Sequence, residues 1–186
     1  MTPREKLFDW IKAVYPGRKI RISGKPYLEH LVFVAEFAKD GIQFGYEIGL
    51  CHDLFEDINI ERGSFLTVLM GLGFSGLEAG VIAGAVEELT SVYSKAAFPQ
   101  LTKKARRRLE NQRLEQVSPE AQSVKYGDLV YNAWWMMEFE PKKSEKYLKR
   151  KIKLIGRMNK GNRELRSAVL SIIDGLVIKV RKINKA

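Results

Sequence analysis

Apolar residues recur at spacings of three and four along almost the whole of this 186-residue chain and seldom alternate with polar ones. A helix can bury such a pattern on one face, and a strand cannot. The spacing therefore predicts an all-α protein, with helices over residues 3–14, 27–39, 46–57, 64–71, 76–89, 102–116, 119–138, 144–159 and 163–182. Turn residues fall between them: Pro16-Gly17, Gly24 ahead of Pro26, Gly41, Gly63-Ser64 and Gly73, while Ser118-Pro119-Glu120 reads as an N-cap with proline at the first helical position. No repeat, low-complexity tract or linker-like stretch interrupts the pattern, so one helical domain over 1–186 is expected, with its last two helices (about 144–182) packed on the rest. A hydrophobic content of 45% suffices for a core and excludes a disordered chain. No apolar run approaches the roughly 18 residues of a membrane span, and no secretory apolar stretch opens the chain. With one cysteine, Cys51, an internal disulfide is impossible; the expectation is a cytoplasmic protein with no membrane partner.

The formal net charge of +10 suggests a polyanionic partner until it is divided along the sequence. Residues 142–186 hold fifteen lysines and arginines against Glu145, Glu164 and Asp174, whereas the preceding 141 residues are close to neutral apart from the run Lys103, Lys104, Arg106, Arg107 and Arg108. In the last predicted helix Leu165, Val169, Ile172, Leu176 and Val180 form a stripe, and Arg163, Arg166, Lys179, Arg181 and Lys182 fall mostly outside it. The simplest account of these charges is a solvated face; no helix-turn-helix, RNA-recognition or zinc signature accompanies them, so a nucleic-acid partner is not expected.

Chemistry concentrates around the only two histidines, His30 and His52. Read as one helix, residues 46–58 place Ile48, Leu50, Cys51, Leu54, Phe55 and Ile58 on one side and His52, Asp53, Glu56 and Asp57 on the other, three carboxylates with no basic residue among them. A bound cation relieves that repulsion; a solvated acidic face is the alternative. In the helix over 119–138, Asp128 sits among large apolar side chains, where a carboxylate needs a metal or a cationic partner, and Lys125 is the only nearby one. His30, His52, Asp53 and Asp128 together offer two imidazoles and two carboxylates, a set suited to Mn, Fe or Zn, with Glu56 and Asp57 left to activate water. Cys51 lies on the apolar side and is expected to pack.

Four ordered blocks carry a resemblance: Arg21-Ile22-Ser23-Gly24-Lys25-Pro26-Tyr27-Leu28-Glu29-His30, Leu50-Cys51-His52-Asp53-Leu54-Phe55-Glu56-Asp57, Val86-Glu87-Glu88-Leu89-Thr90, and Lys125-Tyr126-Gly127-Asp128-Leu129-Val130-Tyr131-Asn132. Together they resemble the HD-type hydrolase domain of the RelA/SpoT alarmone enzymes of the stringent response, most nearly the small stand-alone forms such as the metazoan SpoT homologues, over nearly the whole chain. The resemblance implies the helical HD phosphohydrolase fold and one Mn2+ (Zn2+ or Fe2+ as alternatives) on His30, His52, Asp53 and Asp128. It implies removal of the 3′-pyrophosphate from ppGpp or pppGpp, with Glu56 and Asp57 activating the water. Asn132 matches a substrate-contacting asparagine and Arg21 the arginine that packs on the base, with Tyr27 in the same loop; no synthetase domain follows, so hydrolysis alone is implied.

The departures bear on substrate. Ile22, Leu129 and Trp134 stand where the family usually has basic residues, and Leu31 replaces a common proline. Lys103, Lys104 and Arg107 are candidates for replacement contacts to a polyphosphate, a solvated helix face being the alternative. The lost charges keep two further substrates open, the adenine counterpart of the alarmone and the 2′-phosphate of NADPH. A different class of function, a basic module binding nucleic acid or protein, has no use for Glu56 and Asp57.

Overall fold

The computed structural model describes residues 1–58 and 60–183, and among them every regular element is helical. In chain order these are α1 (Pro3–Val14), α2 (Tyr27–Ala38), α3 (Gly45–Cys51), α4 (Leu54–Asp57), α5 (Arg62–Leu72), α6 (Gly76–Leu89), α7 (Lys103–Leu114), α8 (Pro119–Phe139), α9 (Pro141–Arg157) and α10 (Arg163–Ile183). The starts are chemically marked. Thr2 with Glu5 and Ser75 with Glu78 form capping boxes, and the hydroxyls of Thr102 and Ser118 accept the free N–H groups of Ala105 and Ala121. None of these helices is long and apolar enough to cross a membrane.

Two apolar clusters form the interior. Leu7, Ile11, Leu31, Val34, Ile48, Leu54, Phe65, Leu69, Ile82 and Val86 fill the space among α1 to α6, and Tyr126, Leu129, Val130, Leu148, Ile155, Val169 and Ile173 fill that among α8, α9 and α10. Phe33 of α2 touches both clusters. Helix α2 packs on α3 and on α8, so the residues on its inner face meet residues from both. His30 is on that face.

The α2–α3 crossing is close because Gly49 has no side chain: a Cβ there would stand 2.6 Å from Ala35 Cα and 2.8 Å from Ala35 N. One expected helix is corrected. Residues 46–57 are two helices, with the break at His52 and Asp53, where Asp53 adopts φ −101° and ψ 3°. The break has local causes. The His52 ring bonds through Nδ1 back to the Gly49 carbonyl at 2.8 Å, and the Asp53 carbonyl receives the N–H groups of Glu56 and Asp57 to start a new turn. The single acidic face expected from an unbroken helix is therefore divided: Asp53 turns toward the histidines, Asp57 toward Arg18, and Glu56 toward the backbone of Ser91.

Candidate metal centre

His30 from α2 and His52 from the α3–α4 break are both buried, and their Nε2 atoms lie 3.1 Å apart. Asp53 Oδ2 is 3.1 Å from His52 Nε2 and 3.4 Å from His30 Nε2. Asp128 Oδ1 from α8 is 3.5 Å from His30 Nε2 and 3.9 Å from His52 Nε2. His30, His52 and Asp53 thus bring three donor atoms within 4.8 Å of one another, and Asp128 Oδ1, from a third segment, flanks the two imidazoles. The Gly49 carbonyl, by accepting from His52 Nδ1–H, keeps the Nε2 lone pair for that cluster, as the outer contacts of metal-bound imidazoles do. His30 Nδ1, by contrast, is buried without a partner.

The charge distribution fits a cation. Burial alone lowers the His52 pKa, but Asp53, Asp128 and the Gly49 carbonyl outweigh it and push the imidazole up to about 9, so a positive charge is favoured here. Burial raises the carboxyl pKa of Asp53, yet His52 and hydrogen bonds from His30, His52 and Tyr27 hold it well below the usual carboxylate range. Asp128 is also lowered against the effect of burial, chiefly by Lys125. That lysine pairs with Asp128 Oδ2 at 2.7 Å, so the cationic partner foreseen as the alternative to a metal is present, while Oδ1 still faces the histidines. Asn132 donates to Asp128 Oδ1 and to the Asp128 carbonyl, which fixes the carboxylate's rotamer. Two imidazoles that turn their Nε2 atoms to each other and to two carboxylates fit a divalent first-row ion.

His30, Asp53 and Asp128 line a cavity of about 380 Å³ together with Arg21, Tyr27, Glu56, Asn132 and Trp135, and His52 is buried behind them. Through Glu56, Ser91 and Lys125 it adjoins a second recess of about 620 Å³ that carries Lys95, Lys103, Arg107 and Lys151. Of the basic run on α7, Lys103, Arg106 and Arg107 line that recess; Lys104 and Arg108 are exposed and do not. Arg106 is itself engaged by the carbonyls of Phe98 and Leu101.

Asp57 does not line the cavity. Its carboxylate is ion-paired with Arg18 at 2.5 Å, and the Arg18 guanidinium lies over the rings of Tyr15 and Tyr27. Tyr27 in turn donates to Asp53 Oδ2, so one chain of contacts ties the 15–27 loop to the carboxylate that faces the histidines. Burial, then the nearby Asp53, raise the Asp57 pKa against the pull of Arg18. Arg18 and Lys151 escaped sequence reasoning, because each sits in a basic stretch with no local signal of what its side chain meets.

The positions that depart from the resembled family have structural accounts. Leu129 is buried in the second cluster, and Trp134 stacks edge-on against Phe33. Ile22 is 61% exposed with φ +75°, a left-handed conformation rare for a β-branched residue, in the loop beside Arg21. Cys51 is buried and burial raises its thiol pKa strongly, consistent with a packing role.

No family model matches the chain, and no curated protein matches its sequence. Among solved structures, the chain superposes with a TM-score of 0.70, at 17% identity and over 96% of both chains, on a metazoan ortholog of SpoT that hydrolyzes ppGpp and plays a role in starvation responses. At this identity the likeness establishes a shared all-α fold.

Proposed function

We propose that this chain is a Mn2+-dependent hydrolase that removes the 3′-pyrophosphate from ppGpp and pppGpp. The observation that carries the reading is the grouping of His30 Nε2, His52 Nε2 and Asp53 Oδ2, with Asp128 Oδ1 within 3.9 Å of both imidazoles, beside a cavity that adjoins a cationic recess. The fold shared with a ppGpp-hydrolyzing protein supports the substrate class. His30, His52, Asp53 and Asp128 would hold the ion, whose contribution is Lewis acidity toward a phosphoryl oxygen and a lowered pKa for water.

The remaining steps belong to the chain. Glu56, in the cavity wall with Oε1 held by the Ser91 N–H, accepts the proton of the attacking water. Asp57, through Arg18 and Tyr27, fixes the loop that carries Arg21, and Arg21 packs on the base. Asn132 and Lys125 hold Asp128 in place; Lys103, Arg107 and Lys151 neutralise the phosphates that extend into the second recess. A phosphorus–oxygen bond forms to water, the bond from phosphorus to ribose O3′ breaks, and O3′ leaves with a proton as pyrophosphate departs.

Pyrophosphate release from ppGpp is expected to cease with a chelator and return with added Mn2+, and its kcat/KM should exceed those for the adenine counterpart and for phosphate release from NADPH. Turnover indifferent to chelator would sink the reading; faster NADPH dephosphorylation would replace the substrate. A pH effect is also expected. Burial first, then the neighbouring Lys125 cation, lower the Lys151 pKa to about 8. This cation is therefore complete below that pH and lost as pH rises through it, so KM for ppGpp should climb above pH 8 in the wild type but not in Lys151→Met. Identical KM–pH curves for the two proteins would remove Lys151 from the substrate's path.

A further inference from the structure

The charge of the C-terminal quarter is not scattered over its surface. On α9 the side chains of Lys142, Lys146, Lys149, Lys153 and Arg157 are all exposed, at spacings of four, three, four and four. At 3.6 residues per turn these positions fall within an arc of about 80° and extend along about 22 Å of helix. The opposite side of the same helix buries Ser144, Leu148, Leu154 and Ile155, so the cations face directly away from the protein. Glu145 is the only acid on the helix. It pairs with Lys149 at 2.7 Å and with Arg181 of α10 at 3.1 Å, and Glu115 pairs with Arg157 at 3.0 Å. Among the described residues no carboxylate is paired with Lys142, Lys146 or Lys153.

A merely solvated helix face mixes signs, because like charges at i,i+4 cost a few tenths of a kcal/mol each. This face repeats them instead, and the recess between the turns, about 270 Å³, is walled by Lys146, Lys149, Arg150 and Lys153 with Glu145. The partner's chemistry follows from what the face lacks. None of the exposed large apolar side chains belongs to α9, so nothing there inserts into a lipid interface or anchors in a protein pocket. A straight row of four lysines and an arginine with no apolar anchor matches a regularly charged polymer. We infer that the outward face of α9 is a sequence-independent docking surface for the phosphate backbone of a nucleic acid. The surface is distinct from the cavity: Lys151 is the α9 cation that turns toward the recess beside the metal centre.

The test is fluorescence anisotropy of a labelled oligouridylate titrated with the full chain between about 50 and 200 mM salt. Five phosphate contacts to a single strand predict a log–log salt slope of about −3.5, and K146Q/K149Q/K153Q should bring it to about −1.4 with at least tenfold weaker binding. K146R/K149R/K153R should bind like the wild type, and ppGpp hydrolysis should be unchanged in both. A control that removes the same charge elsewhere, K6Q/K12Q/K179Q, should retain the slope. No binding at the low-salt end, equal weakening by the control, or equally tight binding to polyglutamate or to phosphatidylserine vesicles would each overturn the assignment.

Discussion

Replacing Asp53 by asparagine is expected to lower ppGpp turnover by on the order of 10³-fold or more and to reduce bound Mn2+ from one per chain to near zero. The amide would keep the size of the side chain but remove the charge that His52, His30 and Tyr27 now hold ionised. Two effects then act together: the donor set loses a hard anionic oxygen, and the acceptor that orders Tyr27 weakens. Asp128→Ala should be no more active but less well folded. Lys125 is largely buried and pairs with Asp128 Oδ2, so truncation strands a cation, a defect of about 3–5 kcal/mol. Asp128→Asn separates the two losses, since it retains a hydrogen-bond acceptor for Lys125 while giving up the charge. Metal content by mass spectrometry and melting temperature, measured on all three variants, check the assignment. Full metal occupancy in Asp53→Asn would show that the converging carboxylate is not a ligand.

How much of this was legible in the sequence depends on how local each feature is. Helix boundaries were, because caps and turn residues act within a few positions; Ser118-Pro119 marks α8 to the residue. The four proposed ligands were legible as types, since a carboxylate among apolar neighbours and a His-Asp pair are costly without a purpose. Their aim was not. The break at His52 depends on a side-chain bond to the Gly49 carbonyl, invisible to periodicity, and it is this break that sends Asp53, Glu56 and Asp57 in three directions. Arg18 was missed for the same reason: its partner Asp57 is 39 residues away, and only the 15–27 loop's path brings them together. The run on α7 illustrates the limit. Five cations in six positions cannot share one face, and only the fold selects Lys103, Arg106 and Arg107 for the recess over Lys104 and Arg108.

Gly49→Ala should destabilise the protein by about 2 kcal/mol or more, lowering its melting temperature by about 4–8 °C. On helix propensity alone the sign would be opposite, because alanine in a helix interior is favoured over glycine by about 1 kcal/mol. The clash decides it. The new methyl would meet backbone atoms of α2, Ala35 Cα at 2.6 Å and Val34 C at 2.9 Å, and no rotamer change relieves a contact with main chain. The helices must move apart, and that separates His30 on α2 from His52, whose ring is tied to the Gly49 carbonyl. Turnover measured well below the melting temperature should therefore fall as well, an effect that simple loss of stability does not produce. Gly80→Ala is the control: in mid-α6, with nothing within 4 Å of a new Cβ, it should gain up to about 1 kcal/mol and leave turnover alone. A Gly49→Ala protein that melts at or above the wild type would mean that the α2–α3 crossing is loose, and the convergence of His30 and His52 would then need another cause.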